Sequence, residues 1–295
     1  MVISTKVSVV SSMSAVPKMT SLLKFREIFK STHCAVIGMI HVQALPGAPF
    51  NKLKCKEIVD AACEEAEMYK KCGVDGVLVE NMFDLPYVKP NQAGPELTAF
   101  MARVCTEVKR ILPSLPCGVQ ILAGNNKSAL AVAAATGFQF VRAEGFVFGH
   151  VADEGIMESC AGELLRYRRI IDAEDVLVFA DIKKKHCSHA ITSDVSILET
   201  MKAAEFFRCD GIILTGGATG LPPSATELQE VKAEATVPVL LGSGITESNI
   251  QDFFTADAVI VGSSFKHGNV WSSTPNALQV EAFMEKVHAL RQTLS

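Results

Sequence analysis

The nine cysteines of the chain include no C-x-x-C pair and no metal-ligand spacing, which argues against a zinc module and against a disulfide framework. They read as buried or incidental thiols of a reducing compartment, since Cys packs as a small hydrophobe. No uninterrupted apolar run approaches the ~18 residues of a membrane span, so no membrane insertion is expected. Basic charge is not in excess either. A formal net charge of -4 gives no general attraction to nucleic acid, whose binding domains carry a basic face. Acidic residues are missing from residues 1–23, where Lys6 and Lys18 stand among Ser4, Ser8, Ser11, Ser12, Ser14 and Ser21. That start suits a mitochondrial transit peptide and equally a plain extension, which leaves mitochondrial matrix and cytoplasm both open.

What is present is core material. Apolar residues make up 48% of the 295 and charged residues 20%, with no compositional sign of disorder. The length suits one (β/α)₈ barrel, which takes roughly 250 residues, plus a short extension. Short β-branched or aliphatic runs at 35–40, 76–79, 118–122, 140–143, 176–180, 211–214, 237–241 and 258–261 lack polar alternation. They are predicted to be parallel strands covered on both faces. Between them lie segments of helical period at 56–71, 97–112, 127–135, 163–172, 195–207, 225–234 and 247–254. A last one carries Val280, Phe283, Met284, Val287 and Leu290 on one face. Ser128, Ser193 with Asp194, and Thr246 with Glu247 are the expected helix starts. The similar phrases VDGVLVEN (74–81), CDGIILTG (209–216) and ADAVIVGS (256–263) are repeats of the βα unit. Eight such units in series, with no linker between them, predict a single closed barrel over residues 24–295, with residues 1–23 outside it.

In a barrel of this kind the site is built where the strands end. The polar residues following the apolar runs are His41, then Glu80 and Asn81, Asn125, Arg142 and Glu144, Asp181 and Lys183, and Thr215 with Gly216 and Gly217. The last two runs end only in small residues, Gly242-Ser243-Gly244 and Gly262-Ser263-Ser264. Bare backbone N–H groups at such turns can converge on an anion, so these six are the predicted phosphate holders. Asp181 and Lys183, two residues apart, are expected to share one facing. They are the predicted catalytic pair, by acid/base or Schiff-base chemistry, with Lys183 as imine former. Glu80, Glu144 and His41 are the predicted assistants, while Asn81, Asn125, Arg142, Thr215, Gly216 and Gly217 are the predicted substrate contacts. Lys183, Lys184 and Lys185 read as a basic run more typical of a solvated loop. No cofactor is predicted. His186 and His189, at i and i+3, leave a divalent cation open if Asp181 and Glu144 complete the set. The loop at 147–162 reads as a lid or a contact in a homo-oligomer.

The stretches GMIHVQALPGAP (38–49), DGVLVENMFDLPY (75–87), FADIKKKHCSHAI (179–191), LTGGATGLPP (214–223) and LLGSGITESNI (240–250) resemble the BtpA family. The resemblance covers residues 25–295. It implies a barrel of the ribulose-phosphate-binding kind and a family named for a role in photosystem I biogenesis, with other relatives similar to sugar-phosphate proteins. His41, Glu80, Asn81, Asp181, Lys183 and His186 fall on family positions, while their roles are read from the residues alone. The expectation that results is an enzyme on a phosphorylated small molecule, a sugar phosphate or a nucleotide-like compound. The alternatives are a non-catalytic biogenesis factor that keeps an anion pocket, and a metal-dependent hydrolase.

Overall fold

A strand buried on both faces is apolar over most of its length, and the strands here are, with polar residues only near their carboxyl ends, at His41, Glu80, Gln120, Arg142 and Asp181. Every residue of β1 (Ala35–His41), β2 (Gly76–Glu80), β3 (Cys117–Gln120) and β4 (Phe140–Ala143) is buried. So is every residue of β7 (Leu177–Ile182), β9 (Gly211–Leu214), β10 (Val239–Leu241) and β11 (Ala258–Val261). The computed structural model describes residues 20–30, 33–216 and 222–293. In it these eight parallel strands close into a barrel in the order β1-β2-β3-β4-β7-β9-β10-β11. The remaining strands, β5 (His150–Ala152), β6 (Gly155–Met157) and β8 (Cys187–Ser188), form a small antiparallel sheet beside the mouth.

The lumen is filled by alternate residues of each strand, among them Ile37, Met39, Leu78, Phe140, Phe179, Ile213, Leu240 and Ile260. Two phenylalanines fit because their neighbours lack side chains. A Cβ on Gly118 would lie 2.0 Å from the Phe140 ring, and one on Gly211 would lie 2.7 Å from Phe179. The opposite strand faces pack on the helices, in a second and larger core.

Helix α1 (Ser21–Phe29) begins at Thr20, whose hydroxyl accepts from the Leu23 N–H at 3.4 Å, and stops at Lys30, which takes a positive φ of 50°. Its buried face is Phe25 and Phe29. Their rings lie 6.0 Å from Phe179 and 5.7 Å from Phe140, so α1 plugs the end of the lumen where the strands begin. This helix spans the boundary drawn at residue 23. Residues 1–19, on which most of the extension reading falls, lie outside the described residues, as does Gly217.

The outer ring is α2 (Cys55–Cys72), α3 (Pro95–Ile111), α4 (Asn126–Thr136), α5 (Ala161–Ile170), α6 (Ile197–Phe206), α7 (Ala225–Glu234) and α8 (Ala277–Thr293). Three expectations need correction. Helix α4 begins at Asn126, with Ser128 inside its first turn and not at its start. Helix α6 is started by Ser196, which forms a capping box with Glu199, and not by Ser193 and Asp194. The segment at 247–254 is not an α-helix but a short 3₁₀ turn, Ile250–Phe253. There Asn249 folds back, accepting from the Thr246 N–H at 2.8 Å and donating to the Gly244 carbonyl at 2.9 Å, and this local bonding competes with a helical turn.

Candidate active site at the mouth of the barrel

The lumen's alternation continues one step past the apolar layer, and there it turns polar. Following Met39, Leu78, Gly118, Phe140, Phe179, Ile213, Leu240 and Ile260 by two residues gives His41, Glu80, Gln120, Arg142, Asp181, Thr215, Gly242 and Gly262. One residue per strand thus forms a ring at the carboxyl ends, and the six with functional side chains are all buried. Above the ring opens a cavity of about 610 Å³, lined by His41, Glu80, Gln120, Arg142, Glu144 and the turns after β10 and β11.

Neighbouring strands β1 and β2 bring His41 and Glu80 into register. Burial first, and then the Lys266 charge, push the His41 imidazole down to about 3, so the ring is neutral. Its Nδ1 lies 3.1 Å from the Trp271 carbonyl, which can only accept, so Nδ1 carries the proton and Nε2 offers a lone pair. That Nε2 lies 4.0 Å from Glu80 Oε2. With the imidazole neutral this is no ion pair, and the gap is too long for a direct hydrogen bond. Burial raises Glu80 to about 7 against the opposing pull of Arg142, which poises its carboxyl for proton exchange near neutral pH. Behind His41, the buried Lys266 ammonium lies 3.3 Å from Glu65.

Arg142 Nε donates to both carboxylate oxygens of Asp181, at 3.1 and 3.0 Å, within the ring itself. Burial still raises the Asp181 carboxyl above its ordinary range, with Arg142 opposing. Gly242 makes room for this pair. A Cβ there would lie 2.8 Å from Ile213 and 3.2 Å from Arg142 Nη2.

Asp181 and Lys183 border one small pocket beside the main cavity, but among the described residues they form no ion pair with each other. Lys183 has a positive φ of 44°, which ends the strand alternation, and its Nζ donates to the Thr192 carbonyl at 3.2 Å, away from the main cavity. The next two lysines turn into the cavity instead. Lys184 is bound to Glu144 at 2.8 Å. Although burial disfavours its charge, that partner holds its ammonium up at about 12. Glu144 also accepts from the Gly124 N–H at 2.9 Å, so each of its carboxylate oxygens has a partner. Lys185 makes no ion pair among the described residues. Burial and the nearby Arg142 charge bring its amine down to about 8. Its backbone N–H donates to Thr215 Oγ1 at 3.0 Å, and the Gly216 N–H donates to Ser243 Oγ at 3.0 Å, which ties the loops after β7, β9 and β10 together.

The two asparagines expected to touch substrate hold backbone instead. Asn81 accepts from the Leu122 N–H at 2.8 Å and donates to Asp84, while Asn125 donates to the Val88 and Leu122 carbonyls at 2.9 and 3.1 Å. Gly242, Ser243, Gly244, Gly262, Ser263 and Ser264 all border the cavity on one side. Of the two histidines considered for a metal, His186 borders the cavity. His189 Nε2 donates to the Lys184 carbonyl at 2.9 Å. Among the described residues, no three His, Cys, Asp or Glu side chains are grouped to hold a metal ion.

Sequence reasoning missed Gln120, Lys184, Lys185 and an apolar patch at the mouth. In that patch Leu122, Ala123 and Met157 pack with Met82, Tyr87 and Ala152, detached from both barrel cores. Gln120 had a signal, being a polar side chain within an apolar run, as Arg142 is. The β5–β6 hairpin leans over the same side, and its turn residues Asp153 and Glu154 reach the cavity rim. Among the described residues no helix is long and apolar enough to cross a membrane.

The model of the BtpA family matches residues 32–289. A Caenorhabditis elegans protein that is named as uncharacterized and mitochondrial is 47% identical over 270 residues, which cover 90% of this chain and 97% of that one. The photosystem I biogenesis protein BtpA of Synechocystis is 35% identical over 257 residues, covering 86% and 88% of the two chains. Among solved structures, the thiamine phosphate pyrophosphorylase of Pyrococcus furiosus superposes with a TM-score of 0.55 at 11% identity, covering 87% of this chain and 96% of that one, a likeness of fold alone. With both barrel and motifs on record, the chain is a member of the BtpA family.

Proposed function

We propose that this protein is an enzyme acting on a phosphorylated small molecule, with its phosphate on the turns after β10 and β11 and proton transfer by His41 and Glu80. The observation that carries the reading is the 4.0 Å gap between a neutral imidazole lone pair and a carboxyl near half-ionisation, on the floor of a cavity bordered by those turns. A reacting group seated above both side chains would meet a base in one and an acid in the other. Lys185 takes the place intended for Lys183, as the cavity amine without a carboxylate partner among the described residues. It either steadies an anionic group or adds to a carbonyl. The barrel shared with an enzyme named for thiamine phosphate agrees with the reading, by analogy of fold.

Thermal-shift screening against phosphorylated metabolites tests it directly, because a ligand at 100 times its dissociation constant adds roughly 2.7 kcal/mol of apparent stability. Shifts from unphosphorylated compounds only would remove the phosphate role of the turns. Borohydride reduction in the presence of glyceraldehyde 3-phosphate separates the two roles of Lys185: a covalent adduct on that residue supports imine formation, and an unmodified residue leaves anion binding. The name of the Synechocystis relative favours one other reading, a biogenesis factor without catalysis. Substituting Glu80→Gln and Lys185→Ala together in a cell that depends on the protein distinguishes them, since an assembly factor should keep working. The name of the Caenorhabditis elegans relative supports a mitochondrial address for the Ser-rich start, and a fluorescent fusion of residues 1–30 that stays cytosolic would end that reading.

A further inference from the structure

The cavity has two unlike sides, and the side away from the small-residue turns is built for something other than phosphate. Strand β3 lies four strands from β10 in either direction around the closed barrel, so the two stand across the mouth from each other. At β3 the wall is apolar, with Met82, Tyr87, Leu122 and Ala123 facing the cavity and belonging to the detached hydrophobic cluster. The Tyr87 hydroxyl is already used, donating to the Met82 carbonyl at 2.8 Å, so what this side chain offers a ligand is ring surface. Directly below, Gln120 is 2% exposed and lines the same cavity, and its Oε1 has no donor among the described residues. A buried acceptor without a donor is costly, and a ligand N–H or O–H would satisfy it. Glu154 at the rim adds a second acceptor on that side.

A sugar phosphate seated on the β10 and β11 turns would leave this wall uncovered. We infer that the β3 side of the cavity is a subsite for a flat, largely apolar ring with an N–H or O–H donor, so that the ligand is a phosphate ester carrying a heterocycle, of the nucleoside monophosphate class. The ring lies on Tyr87, Met82 and Leu122 and donates to Gln120 Oε1, while the phosphate reaches across the mouth. The inference rests on the reading of those turns as the phosphate holder.

Calorimetric titration of the full chain with ribose 5-phosphate, adenosine, adenosine 5′-monophosphate and uridine 5′-monophosphate tests it. At least one nucleotide should bind about tenfold or more tightly than ribose 5-phosphate. Gln120→Leu should weaken that nucleotide about fivefold to tenfold and leave ribose 5-phosphate unchanged. Met82→Ala, on a partly exposed loop, should do the same through lost ring contact and serves if the first variant fails to fold. Ribose 5-phosphate binding as tightly as both nucleotides, or equal losses for sugar phosphate and nucleotide in both variants, overturns the subsite. Adenosine binding as well as its monophosphate while ribose 5-phosphate does not bind keeps the subsite and overturns the phosphate reading. No binding by any of the four overturns both.

Discussion

Glu80 gives the sharpest quantitative test of the site, since its environment can be read out without knowing the substrate. Burial moves its carboxyl from 4.5 to about 7. Because the folded-state value is the higher one, the folded chain binds the proton more tightly than the unfolded chain. That contribution to stability is complete below pH 4.5 and is lost as pH rises through about 7. At 1.36 kcal/mol per pH unit the loss amounts to at most about 3 kcal/mol, less whatever Arg142 and Lys185 recover by relaxing toward the charge. Gln has nearly the shape of a protonated Glu and cannot ionise. Urea unfolding of the wild type and of Glu80→Gln across pH 4 to 8 isolates the effect, because the other titrating groups cancel in the difference. The variant should gain stability over the wild type by about 1–3 kcal/mol between pH 4.5 and pH 8, with the difference level below that range. A flat difference, or one that grows toward acid pH, would refute the account of Glu80 as a carboxyl kept near half-ionisation by burial.

Four other outcomes follow from the same geometry. Asp181→Ala leaves the Arg142 guanidinium buried without its partner and should cost about 3–5 kcal/mol in urea unfolding, whereas Lys183→Ala should leave binding of any cavity ligand unchanged; similar losses of binding in the two would contradict the separation of Lys183 from the site. At pH 8 the Lys185 amine, brought down to about 8, should be half neutral, a fraction roughly a hundredfold above that of an ordinary lysine. Mass spectrometry after brief acetylation at pH 8 should find Lys185 modified ahead of its neighbours and protected by a bound anion, and an unlabelled Lys185 in the free protein would count against an accessible amine. Gly118→Ala should destabilise the fold by about 1–3 kcal/mol, because the added methyl lies 2.0 Å from the buried Phe140 ring, and an unchanged thermal midpoint would mean that the lumen is looser than described.

How much of this could be read from the chain depends on how locally each feature is determined. The eight strands were legible because burial on both faces demands a continuous apolar run, and a run such as 258–261 has no other economical use. The short turn at Ile250–Phe253 was misread as a helix because Asn249 settles its conformation through side-chain bonds, which periodicity does not register. Of the eight residues of the ring, all but Gln120 were legible. His41, Glu80, Arg142 and Asp181 each follow an apolar strand at the right step, and the period of two should have led from Gly118 to Gln120 as well. The lysine run was not legible at all. Its facing turns on one dihedral, the positive φ of Lys183, which carries Lys184 and Lys185 over the mouth and leaves Lys183 outside.

The glycines of the last two turns look alike in sequence, yet the structure divides their reasons for being there. Gly242 is required by packing, since a side chain would collide with Ile213 and crowd Arg142, and this would hold whether or not a phosphate ever bound. Gly244 has a positive φ of 72°, which serves the turn that leads to Asn249. Gly262 is constrained by neither. Its φ is -112°, and a Cβ would meet only ordinary contacts, the nearest of them Met39 at 3.4 Å and His41 Nε2 at 3.5 Å. A side chain at that position would stand over the imidazole lone pair. Its absence keeps open the space beside His41, so if the proposed function holds, Gly262, more than the glycines of the preceding turn, would tie the proposed anion side of the cavity to the proposed proton-transfer side.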